Sequence, residues 1–182
     1  MSRPSPPDTV RRVIETERLL LRPFRMDDLD GLARILGDPE VMRYLDLVGV
    51  ASREWTEAWL EKHVALYERQ GYGRVAVVEC SSGRLVGRTG VARYEIAGRD
   101  ELELGYTIER TSWGKGYATE AAGAYVRHAF DELGLPRIVS LIMAGHAASV
   151  RVAEKIGMSY ERDVEWTGLP HMLFSQERLS SV

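Results

Sequence analysis

One cysteine, Cys80, is the whole thiol content of this 182-residue chain. No intrachain disulfide framework can form, and a cysteine-cluster metal site is excluded. Histidine is scarce too: four residues, without HxxxH or HxH spacing, so no metal is expected. No apolar run approaches the roughly 18 residues of a membrane span. The opening MSRPSPPDTV lacks the apolar stretch of a signal peptide. It is polar and Pro-rich, which predicts a flexible tail over residues 1–12 ahead of a single domain over residues 13–182. Strong positive charge is also missing. The net charge is -3, without the basic footprint of a nucleic-acid binder. A soluble cytoplasmic domain with no membrane or nucleic-acid partner is the expectation.

What the chain does have is a glycine turn beside a helix. In TSWGKGYATEA, Thr111 to Ala121, Gly114 and Gly116 flank Lys115. Downstream, Ala118, Ala121, Ala122, Tyr125, Ala129, Phe130 and Leu133 recur at i, i+3, i+4 spacing, so Tyr117 to Leu133 reads as an amphipathic helix stopped by Gly134. Upstream, ELELGYTIE, Glu101 to Glu109, alternates apolar and polar residues as a half-buried strand does. Gly105 inside it marks a bulge or a close backbone approach. A strand, a glycine turn and a helix N-terminus make a phosphate cradle of free N–H groups, or a plain connection. A Walker A loop is excluded because Gly116 follows Lys115, and the dinucleotide fingerprint because position 119 is Thr119.

The rest of the chain reads as α+β. Strands are expected at Glu17 to Phe24, Arg74 to Glu79, Arg84 to Ala92, Arg137 to Met143, Met158 to Trp166 and His171 to Glu177. Helices are expected after an Asp27 or Asp28 cap, after Asp38-Pro39, from Ser52 to Gly71, and from Ala147 to Gly157. The acidic pairs Asp27–Asp28 and Asp100–Glu101 read as solvated turns, and Trp55 and Trp59 as core or cleft lining.

Four segments, ETERLLLRPFRMDDLDGL, DPEVMRYL, LELGYTIERTSWGKGYATEA and ASVRVAEKIGM, occur in the order and spacing of one family. The chain closely resembles the GNAT superfamily of acyl-CoA N-acetyltransferases, from about Glu15 to Glu177, and within it the ribosomal-protein-alanine (RimJ/RimL-like) branch. The resemblance implies a mixed, mostly antiparallel sheet of about seven strands, splayed at the cofactor cleft and flanked by helices. It implies acetyl-CoA as co-substrate, no metal, and a monomer or homodimer. The family pattern (R/Q)-x-x-G-x-(G/A) has Thr111 at its first position here, with Arg110 one residue early. Backbone N–H groups from Trp113 through Gly114, Lys115, Gly116, Tyr117 and Ala118 would hold the pyrophosphate, with Thr119 beside them. The strand Leu104, Gly105, Tyr106, Thr107, Ile108 would pair with pantetheine and direct an N–H at the thioester oxygen.

The same resemblance assigns chemistry. A primary amine attacks the thioester and expels the thiolate. An α-amine is roughly a tenth neutral at pH 7 and a lysine side chain below roughly a thousandth, so a modest base suffices for an N-terminus. Glu103 is the candidate base, with Glu101 as the spare. The proton-donating tyrosine of many relatives falls at Ala153 and is absent. The N-x-x-S signature of the branch becomes His146 and Ser149, both candidates for the cofactor end and the proton transfer. The acceptor is expected to be a protein N-terminus, with a small amine as the alternative and a non-catalytic acyl-CoA-binding module as a third reading.

Overall fold

The computed structural model describes residues 13–45 and 49–178. The tail expected over 1–12 lies outside them. Chain order is β1 (Ile14–Glu15), β2 (Leu19–Pro23), α1 (Leu29–Leu36), α2 (Pro39–Met42), α3 (Arg53–Gln70), β3 (Arg74–Glu79), β4 (Leu85–Ile96), β5 (Arg99–Ile108), α4 (Tyr117–Asp131), β6 (Arg137–Met143), α5 (Ala147–Lys155), β7 (Ser159–Trp166) and β8 (Leu169–Glu177). The strands form one sheet in the order β1-β2-β3-β4-β5-β6-β8-β7. Every neighbouring pair is antiparallel except β5 and β6. This is the expected mixed α+β sheet, with one more strand than the seven anticipated. The extra strand, β1, is two residues long and too short for any periodicity to reveal.

Two apolar layers sandwich the sheet. On one face Leu19, Leu21, Val75, Val77 and Leu104 pack against Ala121, Ala122, Tyr125 and Ala129 of α4. On the other, Ala76, Val78 and Leu85 meet Leu32, Ile35, Leu36 and Leu60 of α1 and α3. The alternation along β3 is the period of two that puts successive side chains on opposite faces. Alanines at 121, 122 and 129, all fully buried, let α4 lie close on the sheet.

Caps explain the helix starts. Asp38 accepts from Glu40 N–H (2.9 Å) ahead of Pro39, and Ser52 accepts from Trp55 N–H (3.1 Å). Gly71 closes α3 in a left-handed conformation, φ 76°. The Asp27–Asp28 pair behaves differently from expectation. A 3-10 turn, Met26–Asp28, precedes α1; Asp28 stands at the N-cap of α1, but its carboxylate is buried and accepts from Arg22 at 2.7 Å and from Arg25 N–H at 2.8 Å instead of from the first turn of α1 or from solvent. Glu101 is likewise buried, against Arg137 at 3.1 Å.

Strands β4 and β5 run past their expected ends because the turn between them has only two residues, Ala97 (φ 48°) and Gly98 (φ 76°). Thr167 (φ 51°) and Gly168 (φ 79°) join β7 to β8 in the same way. Positive φ at both positions is the hairpin turn whose twist matches its strands.

The β4–β5 register is unbroken from Gly87↔Ile108 to Ile96↔Arg99, so Gly105 is a close approach and not a bulge. A Cβ there would lie 2.3 Å from Arg74 Nη1. Its cross-strand partner is Gly90, at φ 114°, where a Cβ would lie 2.2 Å from the Gly73 carbonyl oxygen. The two opposed glycines leave a notch over which the Arg74 side chain lies. Gly90→Ala meets main chain, which cannot swing away, and should cost about 3 kcal/mol of stability, measured by urea unfolding.

Candidate active site

β6 pairs with β5 at a single position, Glu103↔Val139. Beyond it the two parallel strands part, and the C-terminal half of β5 keeps one edge without a strand partner. The Leu104 carbonyl accepts from Ser140 Oγ (3.0 Å), and the Ile108 carbonyl from Trp113 Nε1 (2.8 Å). Alternation places the Tyr106 main chain between them on this edge, facing the gap.

The gap leads to the glycine turn. Gly114 and Gly116 have φ of 77° and 82°. Gly116 is the N-cap of α4 and offers no side-chain cap, so the first-turn N–H groups lack partners within the helix. The turn is braced from the far end of the chain. Arg18 Nη1 donates to the Lys115 carbonyl (2.9 Å) and its Nε to Glu120 (2.8 Å), while Thr16 Oγ1 donates to the same carboxylate (2.6 Å). Tyr117 donates its hydroxyl to Glu79 (2.7 Å), and Lys115 Nζ lies 3.9 Å from that carboxylate. On the strand side, buried Glu109 is held by Ser112 (2.9 Å), Arg84 (2.7 Å) and Arg34.

Between turn, gap and α5 lies a cleft of about 620 Å³. It gathers most of the residues expected from the sequence: Tyr106, Thr107, Ile108, Trp113, Gly114, Gly116, Tyr117, Ala118, Thr119, His146 and Ser149. Glu103, Leu104, Gly105 and Lys115 are not in its wall. Arg43, Arg151 and Lys155 are, and their charges suit a polyphosphate. Arg151 and Lys155 sit four apart, one face of a helix, a signal the sequence carried. Tyr44, stacked on His146 with centroids 4.1 Å apart and planes at 7°, carried none.

His146 is half-buried, which pushes its pKa below the usual histidine value. The ring is therefore neutral at pH 7, a hydrogen-bonding group and not a stored proton. Burial raises the Tyr106 hydroxyl above the usual tyrosine range. It stays protonated and donates to the Ser149 carbonyl at 2.8 Å. Ala153 is fully buried against the α4 layer, so nothing at that position reaches the cleft.

The sheet face beneath α3 is unexpectedly polar. Arg88, Thr107, Arg74 and Glu103 share it, since Ala76 pairs with Arg88, Arg88 with Thr107, Arg74 with Gly90, and Gly90 with Gly105. Arg74 binds both the Gly90 carbonyl and the Glu103 carboxylate. Arg88 lies over the Trp59 ring at 4.7 Å, and Trp59 stacks on His63 at 3.7 Å. Trp59 is thus part packing, part platform. Burial, with Arg74 beside it, pushes Arg88 down to about 10, still fully charged at neutral pH.

Among the described residues no group of three His, Cys, Asp or Glu side chains could hold a metal, and no helix is long and apolar enough to cross a membrane. A sheet parted beside a helix N-terminus, with a cationic cleft between, is the architecture of an acyl-CoA-dependent transferase. Residues 18–159 match the model of the acetyltransferase (GNAT) domain, and the chain belongs to that family of acetyl-CoA-dependent acetyltransferases. It is 31% identical to the Bacillus subtilis protein YkkB over 163 residues, 89% of this chain and 94% of the relative. A GNAT-family acetyltransferase from Bacillus anthracis superposes with a TM-score of 0.79 at 28% identity, covering 92% and 99% of the two chains. A RimL ribosomal L7/L12 α-N-protein acetyltransferase in complex with coenzyme A shares the fold alone: TM-score 0.76 at 19% identity, covering 91% and 98%.

His63 gives the site a pH signature. Burial first, then Arg74, Arg88 and Lys62, lower its pKa to about 4 against the favourable bond from Nδ1 to the Trp59 carbonyl. The unfolded chain takes up this proton near pH 6.5 and the folded chain does not. Stability from this group is therefore complete above pH 6.5 and falls as the pH drops towards 4. Between pH 7 and pH 4.5 the loss should be about 2 kcal/mol, read as the difference between wild-type and His63→Gln urea unfolding at the two pH values.

Proposed function

We propose that the acceptor is an α-amine, acetylated by direct attack in a ternary complex, and that the protein N-terminus of the RimJ/RimL-like branch is its first form. One observation carries the reading. The candidate base is committed to an arginine, Glu103 to Arg74, and so are the other buried carboxylates along β5: Glu101 near its start to Arg137, and Glu109 just past its end to Arg84 and Arg34. Such a site offers only modest base help. That is enough for an α-amine, where a base is worth about 1.4 kcal/mol, and far short of the more than about 4 kcal/mol a lysine side chain requires. The opening ERLLLRPF and the HAAS segment that replaces N-x-x-S support the branch.

The residues fit acetyl-CoA, which supplies the activated acetyl group. The N–H groups from Trp113 to Ala118 hold the pyrophosphate, assisted by Arg43, Arg151 and Lys155. The free edge at Tyr106 takes pantetheine and directs its N–H at the thioester oxygen. Glu103, behind the cleft wall and four positions from Thr107 on one face of β5, accepts the proton of the amine through water, with Arg74 holding its carboxylate in place. His146 and Ser149 give neutral hydrogen bonds at the thiol end. Small α-amines are the second form of acceptor, favoured by the charge on Arg88.

Calorimetry should give one coenzyme A site per chain, and Arg18→Met should weaken it about tenfold by releasing the Lys115 carbonyl and Glu120. Acetyl-CoA thiol release should depend on the acceptor, peptides with N-terminal Ala or Ser among them. Glu103→Gln should cut kcat about tenfold with coenzyme A affinity kept, assayed well below its melting temperature, because the variant also strands a buried Arg74. Full activity in that variant makes Glu103 a counter-ion alone.

A further inference from the structure

The face under α3 carries one more positive charge than the fold uses. Arg74 and Arg88 face one carboxylate, Glu103, and Arg74 takes it. Two further titratable groups face these arginines: His63, which is held neutral, and Tyr94, a phenol that interacts with both guanidiniums. Among the described residues Arg88 has no acidic partner. Its contacts are a long bond from Nε to Thr107 Oγ1 (3.4 Å) and the Trp59 ring. Leaving a partly buried guanidinium without an anion, next to a second guanidinium, is unfavourable. Nothing in the packing demands it, because an apolar side chain would suit the neighbouring Leu85 and Trp59 layer.

Two features turn this cost into a binding site. Trp59 holds the guanidinium plane from one side, the arrangement that fixes an arginine for bidentate recognition. Thr107, which touches Arg88, also lines the cleft. Arg88 is not itself in the cleft wall; its fork of donors lies one residue behind it, through Thr107, on the face of β5 that carries Glu103.

We propose that Arg88 binds an anionic oxygen group, a carboxylate or a phosphate, carried by the acceptor close to its amine. This rests on the acetyltransferase reading and narrows its substrate class. The amine is delivered beside the thioester while its acidic neighbour neutralises the spare charge. A charge-assisted bidentate pair of this kind is worth about 10- to 100-fold in kcat/KM.

The test compares acceptors in pairs that differ in the anionic group: free amino acids against their isosteric amides, Ala-Asp against Ala-Asn peptide amides, and O-phosphoethanolamine against the phosphate-free ethanolamine. Wild-type protein should favour the anionic member of at least one pair at least tenfold, and the pair that responds identifies the source of the anion. Arg88→Gln should bring that ratio to about one, and Arg88→Lys should fall between, with melting curves showing that both variants fold. Binding of N-acetylglycine against N-acetylglycinamide, with and without coenzyme A, gives a readout independent of turnover. Equal rates within every pair, or a preference that survives Arg88→Gln, overturn the proposal while leaving the acetyltransferase reading intact. Absence of turnover together with equal binding of the two glycine derivatives overturns it as well. Loss of coenzyme A binding strikes the acetyltransferase reading instead, and the glycine pair still decides the role of Arg88.

Discussion

β5 and β6 touch at one register position and then separate, and much of the site follows from that parting. A parallel pair needs a crossover, here α4, and the crossover begins where β5 ends. The strand edge left without a partner and the helix N-terminus left without a cap are therefore neighbours. Both are rows of main-chain donors that a protein normally satisfies internally. Their shared deficit shapes a slot for an extended, polar, phosphate-bearing molecule. Few side chains are required, which is why glycine and alanine dominate the sequence there.

The opposite face of the same strands is organised around charge. Arg74 lies across the glycine notch and meets Glu103, and the strain of Gly90 is borne by a residue that tolerates it. Burial opposes the Arg74 charge, and Glu103 with Tyr94 outweighs it, keeping its pKa above the usual arginine value. The notch, the ion pair and the neutral His63 form one polar island within an apolar layer. Such islands are expensive to bury, and this one adjoins the end of the cleft.

The fold was largely legible because its signals are local. An apolar run marked β6 to the residue, a hairpin pattern around Ser81 to Gly83 marked β3, and the Asp38, Ser52 and Gly71 signals set helix ends correctly. The errors arose where long-range partners decide. Asp28 and Glu101 look like surface acids until Arg22 and Arg137 arrive from other strands. Gly105 reads equally as a bulge or a contact, and only Arg74, from another strand, selects the second. The Ala97-Gly98 turn was hidden because alanine rarely takes positive φ. Around the candidate cleft, the glycine turn was legible from its spacing and the Tyr106 strand from its alternation, its pantetheine role coming from the family resemblance alone, whereas Tyr44, Arg88 and Arg18 make contacts across distances no periodicity encodes.

The brace on the glycine turn also bears on how the protein comes into being. Thr16 and Arg18 are about a hundred residues from Lys115 and Glu120, yet they hold that turn in shape. Contacts of such separation close late, after the costly loop between them has been paid in entropy. A nascent chain synthesised as far as α4 already has both partners, but they meet on the finished sheet, through β2, β3 and β4. The shape of the glycine turn is thus a property of the assembled domain, held by contacts that its own segment does not contain.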